Sequence, residues 1–293
     1  VEADAVTAVL AEANLGRPVV VGDATEIAQG FLADGTAVFL DPARRTASGR
    51  TWRVEDLSPS WDFATGLLDG RVGCIKAAPG LPSAIVPSDL AAVWVSHRGD
   101  LVETSLWSGV GVPGSRTALL LPSGDELDAG VRAEPPTGPV SRYLYEPDPA
   151  VIRAGAIATF AEQLGAHALA PRVAYLAADA LAITPFATAF EVLDVLPFDE
   201  RTLRAWIRDN GIGTIEIKVR GLDVDPAVGI QHRDDPGFAG VDQLGDLGVL
   251  AVLADQLLDQ AHGDLGRRQL PGVVAGGEEG LGLDALAGRD PQG

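Results

Sequence analysis

Hydrophobic and polar positions switch between two periods from Val1 to Ala77, and the switching predicts strands and helices in turn. Between Asp4 and Asn14 the apolar residues Val6, Val9 and Leu10 follow an acid at helical spacing, which predicts an amphipathic helix closed by Asn14 and Gly16. Pro18–Asp23 predicts a short buried strand, Ala24–Ala33 a second helix, and Thr36–Leu40 a second strand that ends in Asp41-Pro42. A looser stretch held by Trp52 and Trp61 leads to a helix over Ser60–Asp69 and a strand over Val72–Ala77. Strands separated by helices build a parallel sheet with right-handed crossovers. This stretch reads as half of a doubly wound α/β layer.

Beyond Leu90 the pattern turns antiparallel. Ala92–Ser96 and Leu101–Trp107 flank His97-Arg98-Gly99-Asp100, whose Gly-Asp pair suits the reversal of a hairpin, and Thr117–Leu121 adds one more strand. Trp94 and Trp107, on neighbouring strands, read as a cross-strand packing pair or, alternatively, as a base-stacking platform. Pro135, Pro136, Gly138 and Pro139 mark residues 126–140 as a linker, so residues 1–125 read as one unit and 141–221 as a second. In the second unit Asp148-Pro149 starts a helix over Ala150–Leu164, the acid capping and the proline sitting in the first turn. Val173–Leu176, the apolar run Phe190–Leu196, a helix over Asp199–Asp209 and a strand over Thr214–Val219 complete a small α+β sandwich. After Gly221 the sequence turns to Gly, Asp, Leu and Gln with little strand or helix punctuation, and 222–293 reads as a partly disordered tail.

Composition narrows the function classes. With 46% hydrophobic and 22% charged residues, the 293-residue chain is globular. Its 41 acidic against 22 basic side chains give a net charge of −19, so a polyanion can dock only on a local basic patch. The single cysteine, Cys74, excludes an intrachain disulfide and a cysteine-cluster zinc site, and its apolar surroundings fit a buried thiol in a reducing cytoplasm. The four histidines lack metal-ligand spacing, so no metal is expected. No apolar run reaches the ~20 residues of a membrane span, and a soluble cytoplasmic protein is expected. The chain contains no methionine and opens in Val1-Glu2-Ala3-Asp4, which reads as a strand end entering a helix; a further upstream segment is expected.

The candidate chemistry sits at Asp41-Pro42-Ala43-Arg44-Arg45. A buried strand that ends in Asp-Pro and opens into a basic loop puts a carboxylate and rigid carbonyls at the carboxyl edge of a sheet, where open α/β folds bind ligands. Asp41 reads as a site carboxylate or, alternatively, as a strand terminator that caps the next turn. Arg44 and Arg45 read as a phosphate grip or as surface partners of Glu55 and Asp56. Lys76 reads as a strand-end residue.

Taken in order, Phe39–Arg45 with Gly49-Arg50, Lys76-Ala77-Ala78-Pro79-Gly80, Trp94-Val95-Ser96, Tyr145-Glu146-Pro147-Asp148-Pro149 and Glu216-Ile217-Lys218-Val219-Arg220-Gly221 resemble bacterial class I S-adenosylmethionine-dependent methyltransferases with a C-terminal THUMP-like domain. The resemblance spans Val1 to Gly221. It implies a Rossmann-like α/β sheet, parallel with an antiparallel hairpin, followed by a THUMP-like α+β domain. It also implies S-adenosyl-L-methionine as cofactor and RNA, methylated on a base nitrogen, as substrate. The glycine-rich cofactor loop of such enzymes has no counterpart after Val1, so a pocket open on one side is expected.

By the same resemblance, Glu2 matches the acid that holds the ribose hydroxyls, and Asp23 with Ala24 matches the position facing the adenine amino group. Asp41 and Pro42 match the motif that holds the target amine and are the catalytic candidates. Methyl transfer from a sulfonium is an in-line displacement, for which alignment of nucleophile, methyl and leaving sulfur is the main requirement. Arg44, Arg45 and Arg50 would grip a substrate phosphate, and Lys218, Arg220, Arg204 and Arg208 would form a phosphate track on the second unit. Two other readings stay open: an inactive fragment or RNA-binding module, and a methyltransferase of a small molecule or protein.

Overall fold

The structure, a computed structural model, describes residues 1–43, 45–46, 49–50, 54–130, 134–197, 200–212, 215–220, 249–254 and 270–276, with backbone alone at 45–46, 49–50, 197, 200, 215–220, 249–254 and 270–276. Helix α1 (Ala5–Leu15) starts on Asp4, whose Oδ1 accepts the Thr7 N–H at 2.7 Å, and it ends at Gly16 with φ 63°. The apolar stripe expected to face a core is exposed instead, with Val6, Val9 and Leu10 at 70%, 69% and 62%, because only Ala8 of this helix packs inward. The strand expected at Pro18–Asp23 is reduced to one parallel bridge, Glu2 to Val21, closed by Glu2 N–H to the Val20 carbonyl and Gly22 N–H to the Glu2 carbonyl, both 3.0 Å. The helix expected over Ala24–Ala33 is one turn, α2 (Ala24–Ile27), followed by a 3₁₀ turn over Ala28–Phe31.

The first sheet has the mixed character read from the sequence. Its strands are β1 (Val38–Leu40), β4 (Gly73–Ala77), β5 (Ala91–His97), β6 (Asp100–Ser108), β7 (Arg116–Leu121) and β8 (Asp125–Asp128), in the order β1-β4-β6-β5-β7-β8. β1 runs parallel to β4, and β5 parallel to β7, while β6 is antiparallel to both its neighbours, β4 and β5. Arg98 and Gly99 turn that hairpin with positive φ, 55° and 94°. β8 runs from the last residue of the first unit into the stretch read as linker and adds an edge strand on β7. Between β1 and β4, the two-residue strands β2 (Arg45–Thr46) and β3 (Gly49–Arg50) pair with each other, and α3 (Trp61–Leu67), capped by Ser60, leads to β4.

A second, seven-stranded sheet follows. It comprises β9 (Tyr143–Pro147), β10 (His167–Ala168), β11 (Leu176–Ala178), β12 (Ala187–Pro197), β13 (Ile215–Arg220), β14 (Val249–Ala254) and β15 (Leu270–Gly276), in the order β10-β11-β9-β12-β15-β14-β13. The region read as a tail without strand punctuation thus supplies two strands, β14 and β15; β15 inserts parallel to β12 in the middle of the sheet. The single helix expected over Ala150–Leu164 is two, α4 (Pro149–Ala154) and α5 (Ile157–Leu164), because Gly155 adopts φ 75° and ends the first in a left-handed cap. Helix α6 (Glu200–Asp209) precedes β13.

One core joins the two sheets. Trp94 and Leu106 of the first, Tyr145 and Leu176 of the second, and Val151 and Phe160 of α4 and α5 belong to a single buried cluster. Helix α4 packs on β5 and β7, and Asp148, 2% exposed, accepts the Ser96 hydroxyl at 3.0 Å while capping α4 through the Ala150 N–H at 2.9 Å. Trp94 and Trp107 are not a cross-strand pair. Register sets Trp94 opposite Thr104 and Trp107 opposite Ala91, on opposite faces, and Trp94 is fully buried with its Nε1–H donated to the Leu81 carbonyl at 3.2 Å. It offers no base-stacking platform. Among the described residues no helix is long and apolar enough to cross a membrane.

Candidate functional site

A cleft of about 390 Å³ opens at the carboxyl edge of the first sheet. One wall is Val1, Glu2 and Ala3 with Gly22, Asp23 and Ala24, and the other is Val38–Ala43, with Phe31 and Leu32 alongside. Five sequence-derived candidates, Glu2, Asp23, Ala24, Asp41 and Pro42, therefore line one space although they lie in three separated segments. Strand ends explain the gathering: the Glu2–Val21 bridge and β1 both deliver their chains to the same edge, where an α/β sheet has its crevice.

The carboxylates on the first wall are already engaged in local structure. Glu2 Oε1 accepts the Asp4 N–H at 2.9 Å, which fixes the side chain at the strand end. Asp23 caps α2, its Oδ1 accepting the Thr25 N–H at 2.8 Å and the Thr25 hydroxyl at 2.7 Å, and these bonds, the hydroxyl first, hold its carboxyl below the ordinary value of 3.8. Each carboxylate keeps a second oxygen with which to receive a ligand hydroxyl or amine. Phe39, 71% exposed, lends the opposite wall an apolar surface.

Asp41 stands where β1 ends, and Pro42 behind it is buried. Its partner is Lys76, whose Nζ lies 3.7 Å from Asp41 Oδ2 and 3.5 Å from Glu103 Oε2. Sequence reading left Lys76 as a strand end and overlooked Glu103. The signal that finds them is strand register, since β1, β4 and β6 are adjacent and the three residues come level only once paired. Burial, and then the negative charge of Glu103, pushes the Cys74 thiol up to about 11, so the lone cysteine is a packing group and not a nucleophile.

The basic candidates fall differently. Arg44 lies outside the described residues, and Arg45 and Arg50 are register partners in the β2–β3 pair, which follows the cleft residues in the chain. Lys218 and Arg220 lie on β13, the edge strand of the second sheet, and Arg204 and Arg208 are exposed on α6. Arg201 shares their spacing and exposure, which sequence reading passed over. Among the described residues no group of His, Cys, Asp and Glu side chains is arranged to hold a metal ion.

Comparison with known proteins bears on the fold and the family. The family described as THUMP domain-like matches residues 187–228, which take in β12, α6 and β13. Two uncharacterized S-adenosylmethionine-dependent methyltransferases of Mycobacterium tuberculosis, from strains CDC 1551 / Oshkosh and ATCC 25618 / H37Rv, are each 35% identical over 201 residues, 64% of this chain and 54% of theirs. The chain thus spans about half the length of the curated relatives it matches. A crystal structure from Porphyromonas gingivalis W83, of a protein assigned as a methyltransferase, superposes with TM-score 0.54 at 23% identity, over 70% of this chain and 57% of that one. That likeness establishes the α/β fold. The chain has its homologues among the S-adenosylmethionine-dependent methyltransferases and carries a THUMP domain-like segment at its C-terminal side.

Proposed function

We propose that the chain carries the acceptor site and cofactor-binding residues of an S-adenosylmethionine-dependent methyltransferase that modifies a base nitrogen of RNA. One observation carries this reading: Glu2, Asp23, Ala24, Asp41 and Pro42 line a single cleft at the carboxyl edge of the sheet. Its volume, about 390 Å³, lies within the range that small-molecule sites occupy, and its walls pair apolar surface with a few carboxylates, as a nucleoside requires. Glu2 would hold the ribose hydroxyls of S-adenosyl-L-methionine, and Asp23 with Ala24 its adenine. The cofactor would supply an electrophilic methyl on a sulfonium. Asp41, or the carbonyl of Pro42, would accept a hydrogen bond from the target amine and so aim its lone pair. Arg44, Arg45 and Arg50 would take a phosphate of the substrate strand, with Arg204, Arg208, Lys218 and Arg220 continuing the track across the second sheet. Catalysis would then fall to residues 1–125 and RNA docking to the stretch from 141 onward, joined by 126–140, with α4 of the second serving as cover for the first.

Calorimetric titration of S-adenosylhomocysteine into the full chain, followed by filter binding of transfer or ribosomal RNA over a salt series, tests both halves. Weak binding of the nucleoside and a steep salt slope for RNA are expected. RNA binding without nucleoside binding would instead mark an RNA-binding module, and nucleoside binding without RNA binding would mark a methyltransferase of a small molecule or protein.

A further inference from the structure

We infer that Lys76 is the specificity-determining residue of the acceptor site: by compensating one of two carboxylates, it sets the site for an uncharged amine and against an alkylammonium. The inference rests on the methyltransferase reading above and adds to it a substrate class and the residue that selects it. Pairing of Leu40 with Ile75 brings Asp41 level with Lys76, and pairing of Lys76 with Ser105 puts Glu103 at the diagonal position on the same face. The ammonium therefore sits between the two acids, 3.7 Å from one and 3.5 Å from the other. Neither contact is deeply buried, with about a third of the Lys76 and Glu103 side chains and half of Asp41 exposed, so the trio contributes little to stability. Its effect is on the charge seen by whatever approaches Asp41.

The chemistry makes that charge matter. The acceptor nitrogen must donate its lone pair to the methyl carbon as the carbon–sulfur bond breaks, the bonding pair leaves with sulfur, and the new ammonium then releases a proton to water. An acceptor that arrives protonated has no lone pair to give. Two uncompensated carboxylates at the acceptor edge would hold an alkylamine in its protonated form, whereas Lys76 leaves the trio with a single net negative charge. An exocyclic amine on an aromatic base is neutral near pH 7 and needs one acceptor, which Asp41 supplies.

The test compares two nucleoside probes by calorimetry on the full chain. S-adenosylhomocysteine leaves the acceptor side vacant, while sinefungin carries an amine-bearing carbon in place of the methylated sulfur and so places an ammonium there. Charge removal in K76M is expected to raise the preference for sinefungin by about threefold at low salt, fading at high salt, while S-adenosylhomocysteine affinity holds and K76R matches the parent protein. An unchanged or reversed preference in K76M would overturn the inference and leave the methyltransferase reading standing. Loss of S-adenosylhomocysteine binding in K76M would also overturn it, making Lys76 a structural support. If the parent protein binds neither probe, the methyltransferase reading itself fails and the inference with it.

Discussion

Replacing Asp148 with alanine should be far more damaging than its distance from the cleft implies. The side chain is 2% exposed, caps α4 through the Ala150 N–H at 2.9 Å, and accepts the Ser96 hydroxyl at 3.0 Å, with Ser96 itself 1% exposed. Loss of an N-cap costs ~1 kcal/mol. Stranding a buried hydroxyl adds ~1–3 kcal/mol. About 3 kcal/mol is therefore expected, which for a chain of this size lowers Tm by roughly 6–12 °C. Differential scanning calorimetry of D148A, S96A and the double variant reads the prediction. The Ser96 and Asp148 losses should be strongly non-additive, since the second substitution removes a partner the first has already orphaned. A Tm shift below about 2 °C for D148A, or strict additivity of the pair, would refute the idea that this bond fastens α4 to the first sheet.

Three further outcomes are expected. D41A should lower methyl transfer to RNA by roughly a hundredfold or more, with S-adenosylhomocysteine affinity nearly unchanged, because alignment is lost and the cofactor wall is not; equal losses in both would place Asp41 on the cofactor side instead. Asp23 is held below 3.8 by Thr25, so its cap should be fully present above that value and be released only as pH falls through the lower, folded-state value; carboxyl NMR should show the midpoint below 3.8, rising toward it in T25A. Cys74, with its thiol pushed up to about 11, should react with a disulfide reagent at pH 8 far more slowly in the native protein than in denaturant, and equal rates would disprove its burial.

The elements written in local chemistry were legible. Asp4, Ser60 and Asp148 cap helices as their residue types predict and Gly16 ends one, while the hairpin lies where the pattern puts it but turns on Arg98-Gly99, one residue before the Gly-Asp pair read for it. Glu2, Asp23 and Asp41, picked out separately along the chain, do line one cleft. What failed depends on pairing or on conformations that a pattern does not encode. Apolar spacing runs unbroken across Gly155, whose left-handed φ splits the helix. Val6, Val9 and Leu10 form a stripe on paper, yet whether a stripe is covered is decided by its neighbours. Lys76 gains its two carboxylates only through register, and β15 enters the second sheet beside a strand about 80 residues earlier, a contact that no local window contains.

Helix α4 roofs the first sheet although its sequence follows the proline-rich connection, and β9 carries the chain directly from one sheet to that roof. A protease nick, fusion joint or recombination point placed between the sheets would thus strip the upstream layer of its cover rather than free two self-sufficient pieces. Loss of either layer should therefore destabilise the other, so truncation libraries should start from cuts outside residues 91–164.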